Sequence, residues 1–314
     1  MNYFVTGGAG FIGSNYVRML LRDQLGPANK VKVFDKLTYA GSLDNLIEVS
    51  NDSRFTFIEG DICDEELVTF HIAEGDIVVH FAAESHVDRS ITGPSEFVRT
   101  NVLGTQVLLS SSVANKVKIF LHVSTDEVYG SISNGSSEES DLLLPNSPYS
   151  ASKAASDLLV RSYAQTFGLD ARITRCCNNY GPGQYREKFI PLAIQNIRDN
   201  KPIPIYGDGT NVREWIHVDD HCRAIQAVIE KGSAGEIYNI GSGVSFENID
   251  IAKKILKLSG KDLSFIYFVK DRLGHDFRYA LNSEKVKSIL GFQVQGSFDA
   301  TLAELVNGGN SDIL

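Results

Sequence analysis

Tyr3-Phe4-Val5-Thr6-Gly7-Gly8-Ala9-Gly10-Phe11-Ile12-Gly13, followed by Tyr16, Val17, Leu20 and Leu21, is the stretch that decides the fold. An apolar run enters a glycine turn and apolar residues then recur at helical spacing, so the segment reads as strand, turn and helix. Gly7, Gly10 and Gly13 allow positive φ in the turn, close approach of backbone to a pyrophosphate, and tight packing of helix on strand. The helix amino end then favours negative charge. Such a glycine pattern is common by itself; the strand before it and the helix after it supply the context a dinucleotide site requires.

Outward from this turn, the next apolar run, Val31 to Phe34, ends at Asp35, where a ribose-binding acid belongs. Its carboxylate is suited to bond a ribose diol and to repel a 2′-phosphate, which favours NAD over NADP. Lys36 beside it is a cation able to meet a phosphate. Phe55 to Ile58 and Asp76 to Phe81 read as the third and fourth strands, ending in Gly60-Asp61-Ile62 and Phe81-Ala82-Ala83-Glu84-Ser85-His86. Small residues there leave room for a flat cofactor. His86 with Glu84 and Asp88 lacks a second partnered motif, so no metal site is read.

Pro94 to Val113 reads as one long helix and Ile119 to Val123 as a buried strand. Strands alternating with helices through Thr174 imply an α/β fold with a doubly wound parallel sheet of Rossmann type and right-handed crossovers. At the carboxyl end of the strand stands Ser124-Thr125-Asp126-Glu127-Val128-Tyr129-Gly130, at the sheet edge where ligands bind. Tyr149-Ser-Ala-Ser-Lys153 opens a helical pattern and puts a phenol and an ammonium on one helix face. The ammonium is expected to draw the phenol down from its usual value near 10, so that Tyr149 can accept a proton from a sugar hydroxyl.

Beyond Thr174 the texture changes. Asn178 to Gly183 reads as turn and Lys201 to Asn211 as a Pro/Gly loop, with Arg213, Arg272, His275 and Lys188 as positive groups for a diphosphate. The 314 residues, 43% of them hydrophobic, suffice for one large α/β domain with a smaller lobe. A net charge of −9 without a long basic run argues against nucleic-acid binding. Cys63, Cys176, Cys177 and Cys222 show no metal-ligand spacing and read as four buried thiols. No apolar run approaches the ~18 residues of a membrane span, and a cytoplasmic enzyme is expected.

In order, the chain carries TGGAGFIG, HFAAESHVDRSI, RTNVLGT, STDEVYG, YSASK, NNYGP and DRLGHDFRYA. It resembles the extended short-chain dehydrogenase/reductases, in their sugar-nucleotide dehydratase branch, from Tyr3 to about Phe292. Asp126-Glu127 after Thr125 is the specific part: similar epimerases usually carry small or hydroxyl residues there, and decarboxylases Ser-Glu. The resemblance implies NAD-dependent 4,6-dehydration of a nucleoside-diphosphate hexose, dTDP-glucose foremost, giving the 4-keto-6-deoxy sugar. C4 is oxidised, water is lost across C5 and C6, and hydride returns to C6. The alternatives are an epimerase or decarboxylase on a similar sugar nucleotide, and a non-catalytic NAD-binding module.

The resemblance further implies Thr125, Tyr149 and Lys153 for hydride chemistry at C4, with Asp126 as the acid and Glu127 as the base in the loss of water. Phe11, Ile12, Asp35, Lys36, Asp61, Ile62, Ala82, Ala83, Thr100 and Asn179 are implied at the cofactor, beside the glycines, Tyr149 and Lys153. Ser85, Thr125, Asn178, Lys188, Phe189, Pro204, Tyr206, Arg213, Asn248, Arg272 and His275 are implied at the sugar nucleotide. Residues 1–174 then form the NAD-binding domain, with the Tyr149/Lys153 helix included. Residues 175–314 form mainly a substrate lobe, with some segments returning to the first domain. A homodimer through Pro94–Val113 and Tyr149–Thr166 is implied as well. Gly183, Arg186 and Leu273 replace an aromatic residue and two prolines of the family beside the substrate, and the family's closing Trp-Tyr is missing, so a short last helix is expected.

Overall fold

Alternation sets the first strand: in β1 (Asn2–Thr6) Tyr3 and Val5 enter one hydrophobic cluster and Phe4 enters another, on the opposite side. The computed structural model describes residues 1–308. The strands that follow are β2 (Lys30–Asp35), β3 (Phe55–Glu59), β4 (Ile77–His80), β5 (Ile119–Thr125), β6 (Ala171–Cys176), β7 (Asn178–Tyr180), β8 (Ile203–Tyr206), β9 (Val212–His217), β10 (Ile237–Ile240), β11 (Ser245–Glu247) and β12 (Ile266–Val269). The helices are α1 (Phe11–Leu21), α2 (Glu65–His71), α3 (Val87–Thr92), α4 (Pro94–Phe97), α5 (Thr105–Ala114), α6 (Pro148–Phe167), α7 (Phe189–Arg198), α8 (Val218–Lys231), α9 (Asn248–Leu258), α10 (Glu284–Leu290) and α11 (Phe298–Val306).

Seven strands form one parallel sheet in the order β10-β6-β5-β4-β1-β2-β3. Strand order reverses between β1 and β4, which opens a crevice at their carboxyl ends. One face carries α1 and α8 through Tyr16, Leu20, Ile225 and Val228, the other α5 and α6 through Leu108 and Val160. A third cluster around Trp215, Ile194, Ile255 and Leu302 holds the smaller lobe, with sheets β11-β9-β7 and β12-β8.

Some readings of the sequence need correction. Asn178 to Tyr180 is a strand rather than turn, paired with Trp215 to His217. Within the expected Lys201–Asn211 loop, β8 pairs with β12; it has one free edge, where the missing N–H of Pro204 is tolerated. The expected Pro94–Val113 helix runs the full length, but Val98–Gly104 widens into a π-helical turn. The buried Asn101 in that turn receives hydroxyls from Thr105 and Ser156 on its carbonyl, both at 2.6 Å. Cys63 is half-buried rather than buried, and all four thiols are free. The last helix is the nine-residue α11, and 309–314 lie outside the described residues.

Gly7 sits at φ 68°, and a methyl there would lie 2.5 Å from the Ala82 nitrogen. At Gly13 a methyl would strike the Gly7 carbonyl and lie 2.9 Å from the Gly8 Cα, so α1 meets the turn only because residue 13 is bare. Gly13→Ala is expected to cost about 1–3 kcal/mol, as overpacking does. Urea unfolding checks this, and an unchanged midpoint would contradict the close approach.

Candidate active site

The fully buried β5 ends at Thr125, whose Oγ1 accepts a hydrogen bond from the Glu127 N–H at 3.3 Å and starts a single 3-10 turn, Asp126 to Tyr129. The Thr125 hydroxyl also donates to Asp126 Oδ1 at 3.2 Å. Across from it, α6 begins with a reciprocal cap: the Ser147 hydroxyl accepts from the Ser150 N–H and the Ser150 hydroxyl from the Ser147 N–H, both at 3.1 Å. Pro148 fits the first helical position, so Tyr149 and Lys153 are placed one turn apart at a fixed helix start. Lys153 Nζ donates to the Val123 carbonyl at 2.8 Å and lies 3.4 Å from His122 Nε2. Buried Asn101 ties the cavity wall to α6, bonding the Glu84 N–H and carbonyl on one side and the Ser152 hydroxyl on the other.

A cavity of about 460 Å³ runs from the glycine turn to Thr125 and Tyr149. Every residue expected at the cofactor lines it: Gly7, Gly10 and Gly13, Phe11 and Ile12, Asp35 and Lys36, Asp61 and Ile62, Ala82 and Ala83, Thr100, Asn179, Tyr149 and Lys153. Asp35 is held by the Ala9 and Leu37 N–H groups at 2.9 and 2.8 Å, and Lys36 pairs with Asp61 at 2.9 Å. Among the described residues, ten buried side-chain polar atoms lack a hydrogen-bond partner, and five of them belong to residues of this wall: Ser124, Asp126, Gln184, Trp215 and His221. A polar ligand bridging many groups fits such a wall, and a dinucleotide is one.

Ser85, Asn178, Lys188 and Phe189 line the same cavity. Arg272 binds Asp88 through two nitrogens at 2.6 and 3.0 Å, its guanidinium 5.1 Å from the Tyr206 ring centre, and the His275 ring meets the same tyrosine edge-on. Arg213 is buried, donates to the Asp276 carbonyl at 2.8 Å and stacks 4.5 Å from the Tyr279 ring. Of the residues expected at the sugar nucleotide, Tyr206, Arg213, Arg272 and His275 do not line this cavity, nor do Pro204, which is in β8, and Asn248, which opens α9. Gln184, Trp215 and His221 were not anticipated from the sequence. Trp215 is the chain's one tryptophan, two positions from Arg213, and that was the available signal.

The electrostatics divide the two carboxyls. Asp126, 2% exposed, is pushed well above the carboxylate range by burial first, then by Glu127, Cys176 and Glu214, with Arg213 opposing. Glu127 is also raised by burial, but Arg213, Lys188 and Arg272 together pull it back. Adjacent in sequence, the two differ in surroundings: burial and neighbouring acids favour the neutral form of Asp126, while three cations oppose the rise of Glu127. Lys153 is lowered to about 8 by burial, with Asp157 opposing. The expected lowering of the phenol by Lys153 is not what the structure shows. Burial, and then the charge of Glu127, raise Tyr149; the Thr125 hydroxyl is the counterweight, and the ammonium is directed to the Val123 carbonyl.

Among the described residues no group of three or more His, Cys, Asp or Glu is arranged to hold a metal, and no helix is long and apolar enough to cross a membrane. The family described as GDP-mannose 4,6 dehydratase matches residues 4–305. A dTDP-glucose 4,6-dehydratase from Streptomyces antibioticus is 53% identical over 310 residues, covering 98% of this chain and 92% of its relative. The crystal structure of the dTDP-glucose 4,6-dehydratase DesIV from Streptomyces venezuelae, with NAD bound, superposes with a TM-score of 0.96 at 54% identity, covering 98% and 96% of the two chains. A UDP-glucuronic acid 4-epimerase from Bacillus cereus shares the fold at a TM-score of 0.90, 30% identity and coverage of 99% and 100%. The chain belongs to this family of sugar-nucleotide dehydratases within the extended short-chain dehydrogenase/reductases, and in it to the dTDP-glucose 4,6-dehydratases.

Proposed function

We propose that the chain converts dTDP-glucose to the 4-keto-6-deoxy sugar nucleotide with NAD retained between turnovers. The observation that carries this is the unequal pair Asp126 and Glu127 beside Tyr149 on one cavity wall. NAD, held by the glycine turn and Asp35, would supply the hydride acceptor for C4 and the hydride donor for C6. Once ionised, Tyr149 accepts the O4 proton, with the Thr125 hydroxyl offsetting part of the cost of a buried phenolate, and the resulting ketone acidifies the proton at C5. Glu127, kept ionisable by Arg213, Lys188 and Arg272, removes that proton. Asp126, held protonated by burial, gives its proton to the departing O6.

An epimerase has no leaving hydroxyl to protonate and gains nothing from a neutral Asp126. We place Asp35 and the glycine turn at the NAD adenosine and pyrophosphate, and the Arg213, Arg272, Lys188 and His275 groups at the sugar diphosphate. Residues 1–174 are taken as the NAD-binding domain and 175–314 as mainly the substrate lobe. The free thiols fit a reducing, cytoplasmic setting. Exposed Val98 and Leu103 beside α5, and Leu158 and Phe167 on α6, supply an apolar face for a homodimer. A monomeric mass in sedimentation would remove the dimer from this account.

Incubating the purified protein with a panel of nucleoside-diphosphate hexoses tests the reaction directly. Loss of one water from dTDP-glucose, read by mass, is expected; an unchanged mass with inverted C4 would make it an epimerase. The two carboxyls separate as follows. Glu127→Gln should still oxidise C4, seen as bound NADH absorbance, but fail to exchange the C5 proton with deuterated solvent. Asp126→Asn should keep C5 exchange while elimination slows by about the 10²–10⁴-fold that one positioned acid supplies. Rapid C5 exchange in Glu127→Gln, or normal turnover in Asp126→Asn, would reverse the assignment.

A further inference from the structure

We propose that Cys176 is a covalent modification site in the cofactor cavity, open to small, uncharged, soft electrophiles and shielded by bound NAD. The shielding, though not the reactivity, rests on the NAD reading above. Cys176 ends β6 at the carboxyl edge of the sheet and forms part of the cavity wall with 4% of its surface exposed. Asn179 Nδ2 donates to its sulfur at 3.3 Å, and Asn179 Oδ1 lies 2.9 Å from Nδ1 of His221. His221 is fully buried, lines the same wall, and its Nε2 has no hydrogen-bond partner among the described residues. The proposed dehydration uses neither side chain.

The surrounding charges agree with this arrangement. Burial opposes ionisation of Cys176 and is the largest single influence, but the Cys177 thiol, His221 and Asn179 together outweigh it and lower the group. The other titratable groups that act on it or feel its charge are Asp126 from the end of β5, Glu214 from β9, and Cys177 and Cys222. Burial raises all four, which favours their neutral forms and limits the negative charge they set against a thiolate. Cys63 is raised to about 11, so of the four cysteines Cys176 alone is lowered. Since the thiolate is the nucleophile, Cys176 is the thiol that reacts with an electrophile small enough to enter. With a haloacetamide the sulfur attacks the methylene carbon, the S–C bond forms, the carbon–halogen bond breaks and halide leaves.

The test is iodoacetamide labelling of the full-length protein, with and without saturating NAD, from mildly acidic to mildly alkaline pH. Peptide mass gives the rate at each cysteine, and calorimetry in the same samples confirms whether NAD is bound. A cavity that takes no NAD is thereby told apart from a cysteine that does not react. Cys176 should label first of the four at a rate nearly flat with pH, and bound NAD should slow it about tenfold or more. His221→Gln should cut the rate about tenfold at the acidic end and make it rise with pH, as an ordinary thiol does. The wild-type profile stands as a test even if that variant fails to fold. Labelling confined to Cys63, a Cys176 rate that climbs with pH like that of an ordinary thiol, or no protection where NAD is measurably bound would each overturn the proposal.

Discussion

Removal of water from the carboxyl edge of the sheet is the constraint on which the site depends. Helices on both faces bury β4, β5 and β6 completely, so the groups at the ends of those strands enter a medium that penalises charge. The same penalty acts on Asp126, Tyr149 and Lys153, raising the first two and lowering the third. Glu127 is raised by burial as well, but Arg213, Lys188 and Arg272 come to it from the smaller lobe and oppose that rise. The lobe thus does more than bind: it makes the two carboxyls different.

Close packing upstream creates the space for this chemistry. The bare Gly13 lets α1 press against the turn, and the bare Gly7 lets the turn approach the Ala82 backbone, beside the crevice between β1 and β4. On the far wall the π-helical turn widens the chain around Asn101, whose side chain grips Glu84 and Ser152 and so fixes the loop after β4 against α6. Wide turns of this kind gather at functional sites because they re-aim side chains that a regular helix would bury elsewhere.

Much of the fold was legible from the sequence because strands buried on both faces announce themselves as apolar runs, and Gly7 to Gly13 with Asp35 mark their order. Tyr149 and Lys153 were legible as a pair through helical spacing. Their electrostatics were not: spacing put the ammonium beside the phenol, whereas the folded chain turns Nζ to the Val123 carbonyl. Strands β7 and β8 were hidden by Gly and Pro, since their pairing partners β9 and β12 lie far along the chain. Nothing local distinguished Asp126 from Glu127. Their difference comes from Lys188, Arg213 and Arg272, all far beyond Glu127 in the chain, which no window on the sequence brings together.

Asp126 is therefore expected to keep its proton to higher pH than Glu127. Infrared difference spectra of the NAD-loaded protein against its variants read this directly, through the carbonyl stretch that only a protonated carboxyl shows. The account predicts that one such band is lost in Asp126→Asn and kept in Glu127→Gln. A band kept in Asp126→Asn and lost in Glu127→Gln would contradict it.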